Sequence, residues 1–165
     1  HMTSPQPALF FDKWLSYLTS RQRQLIEVSL QLIEIYEEEP DALADYSFIV
    51  FPMAKAYEGF LKSFFLKMKF ISKDTYEGRF FRLGRALNPD VDPSNRDKDW
   101  IFDQVAQECG ALKARMMWQA WLDCRNRVFH FFPVDEGLLS FSDAQARIAQ
   151  LAEAIGAAME CWENK

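Results

Sequence analysis

The chain has 165 residues, of which 49% are hydrophobic and 15% aromatic, and its formal net charge is −5. That length and composition are enough for one domain with a substantial hydrophobic core. The acidic charge argues against a protein that coats nucleic acid electrostatically, because such proteins usually carry a basic excess.

The N-terminus is predicted to carry a cloning remnant, because His1 and Met2 have that appearance. We therefore take residues 1–7 as a tag remnant and disordered N-terminus, and residues 8–165 as a single helical domain. If His1 is set aside, His130 is the only histidine of the native protein.

Two amphipathic helices are predicted first, because apolar residues recur there every three or four positions. One covers residues 8–18. The second is capped by Ser20 and ends before Pro40. Its predicted buried face consists of Leu25, Val28, Leu32, Ile35 and Tyr36.

A long apolar region follows, opened by Asp41 or Asp45 and running to Ile71. Pro52 lies inside it, which predicts either a kinked helix or a short helix followed by a longer one. Between residues 45 and 74 the only acid is Glu58.

Two interpretations of Glu58 are open. A lone carboxylate in a core helix needs a partner, and Arg125 is a lone guanidinium with the same need, so the two are expected to pair or to share a hydrogen-bond network. Alternatively, Glu58 faces solvent beside Lys55 and Lys62, its helical neighbours.

Charge is segregated along the chain. Residues 62–85 hold seven basic residues and two acids, whereas residues 34–45 hold six acids and no base. The basic segment is a candidate phosphate-binding region, although both runs are also typical of solvated helix faces. The candidate RNA-binding residues in it are Lys62, Arg79, Arg82 and Arg85.

The rest of the chain contributes packing elements. A short basic helix over 79–87, a loop at 88–95 and a helix ending at Gly110 are expected, with aspartates 97, 99 and 103 assigned to helix capping rather than to metal binding. A final helix begins after Ser142.

Three cysteines, Cys109, Cys124 and Cys161, are odd in number and widely spaced, which indicates neither a disulfide framework nor a zinc site. That pattern is typical of the reducing cytoplasm. We predict no cofactor and no metal, and we expect no export signal and no membrane span.

The segment with candidate chemistry is Asp123-Cys124-Arg125-Asn126-Arg127-Val128-Phe129-His130. A helix is predicted to run from Lys113 to Phe131 or Phe132, because Pro133 disfavours helix before it. The apolar seam of this helix is Met117, Trp121, Cys124, Val128 and Phe131, and a polar stripe comprises Gln119, Asp123, Asn126 and His130.

In such a helix Asn126 and His130 are neighbours one turn apart. Arg125 lies roughly 140° around the helix from His130, at the edge of an apolar surface, where it needs an anion. Histidine can give or take a proton near neutral pH, as general acid or base catalysis requires. The plainer interpretation is that His130 caps the helix and that Arg125 makes a structural ion pair.

Arg125, Asn126 and His130 resemble the Arg-Asn-x3-His signature of HEPN domains, small helical bundles many of which are metal-independent ribonucleases. Residues 45–65, together with 121–131, resemble the dimerising HEPN domain of ribonuclease-LS-type toxins of bacterial toxin–antitoxin systems. The chain is much shorter than those toxins.

The resemblance implies an all-α, up-and-down HEPN-type bundle that forms a homodimer, and an endoribonuclease of toxin or antiphage-defence type. His130 would transfer protons, Arg125 would stabilise the phosphate, Asn126 would orient it or the imidazole, and Glu58 and Arg127 would be supporting residues. The implied partners are RNA, a second copy of the chain, and a cognate antitoxin or regulatory protein.

Two other functions remain open. In one, the chain is a non-catalytic HEPN-like dimerisation or adaptor module, and the same residues hold an interface. In the other, the abundant Phe and Trp residues line a small-molecule pocket, although aromatic residues at helical spacing are more typical of a core.

Overall fold

The structure is a computed structural model, and it describes residues 12–165. All regular secondary structure in that range is helical, which confirms the predicted all-α class. The helices are α1 (Ser20–Tyr36), α2 (Ser47–Lys67), α3 (Lys73–Glu77), α4 (Leu83–Leu87), α5 (Phe102–Cys109), α6 (Ala111–Trp121), a π-helical turn (Leu122–Asn126), α7 (Arg127–Phe129) and α8 (Phe141–Glu163).

The central element is α2, which packs against both α1 and α8, while α8 also packs against α6. The apolar run predicted from the sequence forms this helix, and its inward side chains are fully buried. The hydroxyl of Tyr57 donates a buried hydrogen bond of 2.7 Å to the carbonyl of Met117, which links α2 to α6. The largest of the buried side chains on α2 are Ile49, Met53, Tyr57, Phe60, Leu61, Phe64 and Phe65.

Pro52 lies inside α2, so one helix spans the region and the alternative of two separate helices was wrong. A proline ring removes one backbone donor and disturbs the preceding turn. The backbone N–H of Met53 donates instead to the hydroxyl of Ser29 on α1, at 3.0 Å. The buried serine therefore satisfies the donor that the proline displaces.

The beginning of α2 is anchored by Asp45, as one of the two predicted starts implied. One carboxylate oxygen accepts hydrogen bonds from the N–H and the hydroxyl of Ser47 and from the N–H of Leu139. Partial burial raises the pKa of Asp45, but these hydrogen bonds outweigh it and hold the pKa below its usual value. Asp45 thus joins the start of α2 to the segment before α8.

Some details of the predicted helices were wrong. Thr19 caps α1 and Ser140 caps α8, each in a reciprocal capping box, instead of Ser20 and Ser142. The predicted face of α1 is also rotated, since Val28 and Ile35 are exposed. The buried residues of α1 are Gln22, Ile26 and Ser29, so two polar side chains lie on the buried stripe beside Ile26. Residues 1–7 and the first part of the helix predicted over 8–18 lie outside the described residues.

Cys109 and Cys161 form a disulfide that joins the end of α5 to the end of α8, with the two Cα atoms 5.2 Å apart. The prediction of no disulfide was therefore wrong. The two cysteines are 52 positions apart in the sequence, so their spacing could not show that the two helix ends meet. The predicted cytoplasmic location depended partly on free cysteines and stays a proposal. In residues 12–165, no helix is long and apolar enough to cross a membrane.

Candidate functional site

The motif lies where the helix that begins at Ala111 changes its geometry. Leu122–Asn126 form a π-helical turn, which contains both Arg125 and Asn126, and the helix returns to α geometry for only three residues. π-Helical turns inside α-helices insert an extra residue per turn and are frequent at functional sites. The inserted residue changes the direction of every side chain after it, so angles computed for a regular helix do not apply here.

His130 lies outside the helix, with extended backbone angles of φ −113° and ψ 145°. The prediction that the helix continues to Phe131 or Phe132 was wrong by two or three residues, and the predicted neighbour relation between Asn126 and His130 within one helical turn fails with it. Met117, Trp121, Cys124 and Val128 are buried as the predicted seam requires, whereas Phe131 is 67% exposed. The side chain of His130 is exposed to solvent.

Arg125 lies among aromatic rings. Its guanidinium carbon is 5.0 Å from the centroid of the Trp121 ring and 5.2 Å from that of Phe129, distances typical of cation–π contacts. Its Nε atom is buried and has no hydrogen-bond partner among residues 12–165, and no described carboxylate lies within ion-pair distance of it. The predicted need of Arg125 for an anion is therefore unmet by the described part of the chain.

Glu58 pairs with Lys62 rather than with Arg125. The carboxylate lies 3.6 Å from the Lys62 ammonium, and the Glu58 side chain is 33% exposed. Of the two interpretations left open by the sequence, the structure thus favours the solvent-facing one. The predicted role of Glu58 as the direct ion-pair partner of Arg125 is wrong, because Lys62, four residues further along the same helix, pairs with Glu58 instead.

Glu58 and Arg125 nevertheless share an open groove of about 280 Å³ between α2 and the motif. The rings of Phe51 and Phe129 meet edge to face in it, with centroids 4.5 Å apart, and both are about 40% exposed. The groove therefore combines aromatic surface with charges of both signs. Its lining residues are Phe51, Ala54, Lys55, Glu58, Arg125 and Phe129.

Arg127 belongs to a structural network instead of the groove. Its guanidinium forms an ion pair of 2.7 Å with Asp123, whose carboxylate also accepts hydrogen bonds from Gln119 and, at 2.9 Å, from Gln150 of α8. The network fastens the π-helical turn to α8. Asn126 is half-buried, and no side-chain hydrogen bond involves it within the described residues.

Cys124 lies inside the motif segment but is not a candidate nucleophile. The side chain is fully buried, and burial raises the pKa of its thiol to about 12, despite the opposing influence of the nearby Arg147 guanidinium. A thiol with that pKa remains protonated at neutral pH, and the thiolate is the reactive form.

The loop after His130 folds back over the end of the helix. Gly137 has φ +70°, and a Cβ atom on it would lie 2.7 Å from the carbonyl oxygen of His130, so only glycine fits there. This close approach fixes the backbone around His130. The same loop exposes several large apolar side chains: Phe131, Phe132, Val134 and Leu138.

The predicted basic residues divide into two groups. Lys62 lies beside the groove through its pair with Glu58, whereas Arg79, Arg82 and Arg85 are exposed around α4. Arg85 makes an exposed ion pair of 3.4 Å with Asp97, and it shares a cavity of about 150 Å³ with Arg82.

Helix α4 approaches the motif through a glycine. A Cβ atom on Gly84 would collide with the indole of Trp121, the ring on which Arg125 stacks. The basic segment therefore lies against the aromatic ring that Arg125 contacts. Within residues 12–165 there is no cluster of three or more His, Cys, Asp or Glu side chains that could hold a metal ion.

Sequence reasoning missed the aromatic part of the site. Phe51 was given no role beyond the long apolar region, and Lys55 was considered only as a solvent-facing neighbour of Glu58. The available signal was that Trp121 and Phe129 flank Arg125 at i−4 and i+4. Comparison of the chain with protein-family models, with curated proteins and with solved structures finds no match.

Proposed function

We propose that the chain is a metal-independent endoribonuclease of HEPN type, acting in a toxin–antitoxin or antiphage-defence setting. The observation that carries the proposal is Arg125, a guanidinium held between two aromatic rings and unpaired by any described carboxylate, at the wall of an open groove. A cation held in this way can stabilise the negative charge that develops on a phosphate during cleavage.

In this mechanism His130 transfers protons, Arg125 stabilises the phosphate, and Asn126 orients the phosphate or the imidazole. Metal-independent cleavage uses the 2′-hydroxyl as nucleophile, so a base must remove its proton and an acid must protonate the 5′ leaving oxygen. The products are a 2′,3′-cyclic phosphate and a 5′-hydroxyl. The exposure of His130 just beyond the helix end is compatible with such access.

The proposal includes a homodimer, because one histidine per chain supplies one proton-transfer group and the reaction uses two. A two-fold axis beside the motif would bring two copies of Arg125 and His130 into one cleft. The exposed apolar side chains of the loop after His130 support an interface there, since contiguous exposed apolar residues are typical of association sites. Light scattering should give twice the mass of one chain at micromolar concentration, and a monomer would contradict the composite site.

An alternative is a non-catalytic HEPN-like dimerisation or adaptor module of such a system. The observation that favours it is the same exposed loop, in which Phe131 is 67% and Val134 fully exposed. In that case the partners are a second copy and an antitoxin or regulatory protein, and RNA is not cut.

The experiment that separates the two is cleavage of a labelled single-stranded RNA in EDTA, with analysis of the product ends. Ribonuclease function predicts cleavage in EDTA, with cyclic phosphate on the 5′ fragment and a free hydroxyl on the 3′ fragment. Cleavage only after magnesium is added would overturn the mechanism, and no cleavage under any condition would favour the adaptor.

A further inference from the structure

We propose that the groove between α2 and the motif binds one unpaired base of the RNA, and that Lys55 and Glu58 make it selective for guanine. The inference rests on the proposed function, because it names the substrate feature that the same site recognises. It changes the role of Glu58 from positioning Arg125 to reading a base.

The size and surface of the groove suit one planar group. Its volume of about 280 Å³ lies just below the roughly 300–1,000 Å³ range of pockets that enclose whole drug-sized ligands. Phe51 and Phe129 present aromatic surface to it, and Arg125 stacks on one of those two rings. Proteins hold unpaired RNA bases by stacking them on aromatic side chains and on arginine guanidinium planes.

The polar groups in the groove place a hydrogen-bond donor beside hydrogen-bond acceptors. Lys55 and Glu58 lie one helical turn apart on α2 and both line the groove, so it offers an ammonium donor beside a carboxylate with two acceptor oxygens. The Lys55 ammonium has no carboxylate within ion-pair distance among the described residues, since the Glu58 ion pair is made by Lys62.

Guanine alone matches this pattern along its Watson–Crick edge. That edge presents the O6 acceptor beside the N1–H and N2–H donors, which are complementary to one ammonium and two carboxylate oxygens. Cytosine and adenine present one amino donor next to a ring-nitrogen acceptor, so they can engage the ammonium and only one of the two carboxylate oxygens. Uracil has one donor between two acceptors and would leave a carboxylate oxygen opposite a carbonyl.

The guanidinium of Arg125 fits the same arrangement. Arg125 lines the groove and has no carboxylate partner among the described residues, so a phosphate oxygen of the bound nucleotide can pair with it. A base seated in the groove would place its own phosphate beside the motif. Base recognition and phosphate stabilisation would then use one continuous surface.

The test is the binding of short single-stranded RNAs to the His130→Ala protein, measured by fluorescence anisotropy. Four oligouridylates are compared, identical except for one central G, A, C or U. The G-containing RNA should bind about tenfold more tightly than the others, because one good bidentate base contact discriminates by that order.

Glu58→Gln in the same background should abolish this preference, since the amide replaces one acceptor with a donor. The matched control is Glu77→Gln on α3, which removes a carboxylate in a similar ion pair with Lys73 and should leave the preference intact. Phe51→Ala should weaken all four RNAs alike. Thermal melting of each variant separates a lost contact from a lost fold.

Equal affinity for the four RNAs, or a preference that survives Glu58→Gln, overturns the inference. So does a Phe51→Ala variant that loses the dimer but keeps its RNA affinity, because the groove would then be occupied by a second copy of the chain. Because binding is measured without cleavage, a guanine preference in a protein that cuts no RNA would refute the ribonuclease and leave the base site standing. Cleavage by the wild type with no base preference would refute the base site and support the ribonuclease proposal.

Discussion

The substitution Arg125→Met tests whether Arg125 serves catalysis or the stability of the fold. Methionine retains much of the length and the apolar stem of arginine but removes the charge and the Nε donor. In the structure that donor is buried without a partner, while the guanidinium contacts two aromatic rings.

The unpaired Nε donor and the two aromatic contacts make opposing contributions of similar size to the free energy of unfolding. A buried polar group without a hydrogen bond costs roughly 1–3 kcal/mol, and two cation–π contacts return roughly 0.5–1 kcal/mol each. We therefore expect the free energy of unfolding of Arg125→Met to lie within about 1 kcal/mol of the wild type, a melting-temperature change of no more than about 2–4 °C. A buried Glu58–Arg125 pair would instead lose roughly 3–5 kcal/mol on this substitution.

The assays are chemical denaturation and cleavage of a labelled RNA in EDTA. Arg125→Met should retain its fold and lose at least about 100-fold in cleavage rate, the usual effect of removing one group that stabilises transition-state charge. Arg115→Met is the matched control, because Arg115 is exposed on the same helix and makes no ion pair among the described residues. A loss of more than about 3 kcal/mol in Arg125→Met with cleavage intact in the folded fraction would refute this reasoning.

Two predictions concern the fold. Asp45→Asn should have a lower melting temperature than the wild type at pH 7, and the difference between the two proteins should disappear as the pH falls below about 4. Hydrogen bonds from Ser47 and Leu139 hold the pKa of the Asp45 carboxyl below its ordinary value. The stability that the carboxylate contributes is therefore complete above the ordinary pKa and is lost as the carboxylate protonates. A gap of constant size from pH 7 to pH 3 would contradict this. Tyr57→Phe should lower the free energy of unfolding by roughly 0.5–1.5 kcal/mol, since it removes the buried hydrogen bond from Tyr57 to the carbonyl of Met117. An unchanged denaturation midpoint would show that the bond contributes nothing.

The helices were predictable because their apolar periodicity is long and regular. The run from Asp45 onward predicted α2, and Met117, Trp121, Cys124 and Val128 were buried as their spacing required. Such patterns report which side of a helix loses contact with water, and burial of that side supplies most of the free energy of folding.

The site was less predictable, because its geometry depends on features without a periodic signal. The π-helical turn at Leu122–Asn126 changes the register of the motif, and nothing in the spacing of its residues indicates where it begins. The Cys109–Cys161 disulfide depends on which helix ends the tertiary fold brings together, whereas the partner of Glu58 was one of the two local neighbours that the sequence had offered. The sequence thus indicated the candidate residues of the site, but not how they are arranged.

The most direct test of the ribonuclease proposal is the cleavage rate of His130→Ala in EDTA. His130 is exposed beyond the helix end, so its removal should leave the melting temperature and the dimer mass unchanged. We predict that His130→Ala is a folded dimer that does not cut RNA, whereas the wild type cuts RNA in the absence of metal. A folded His130→Ala protein that cuts RNA at the wild-type rate would contradict it.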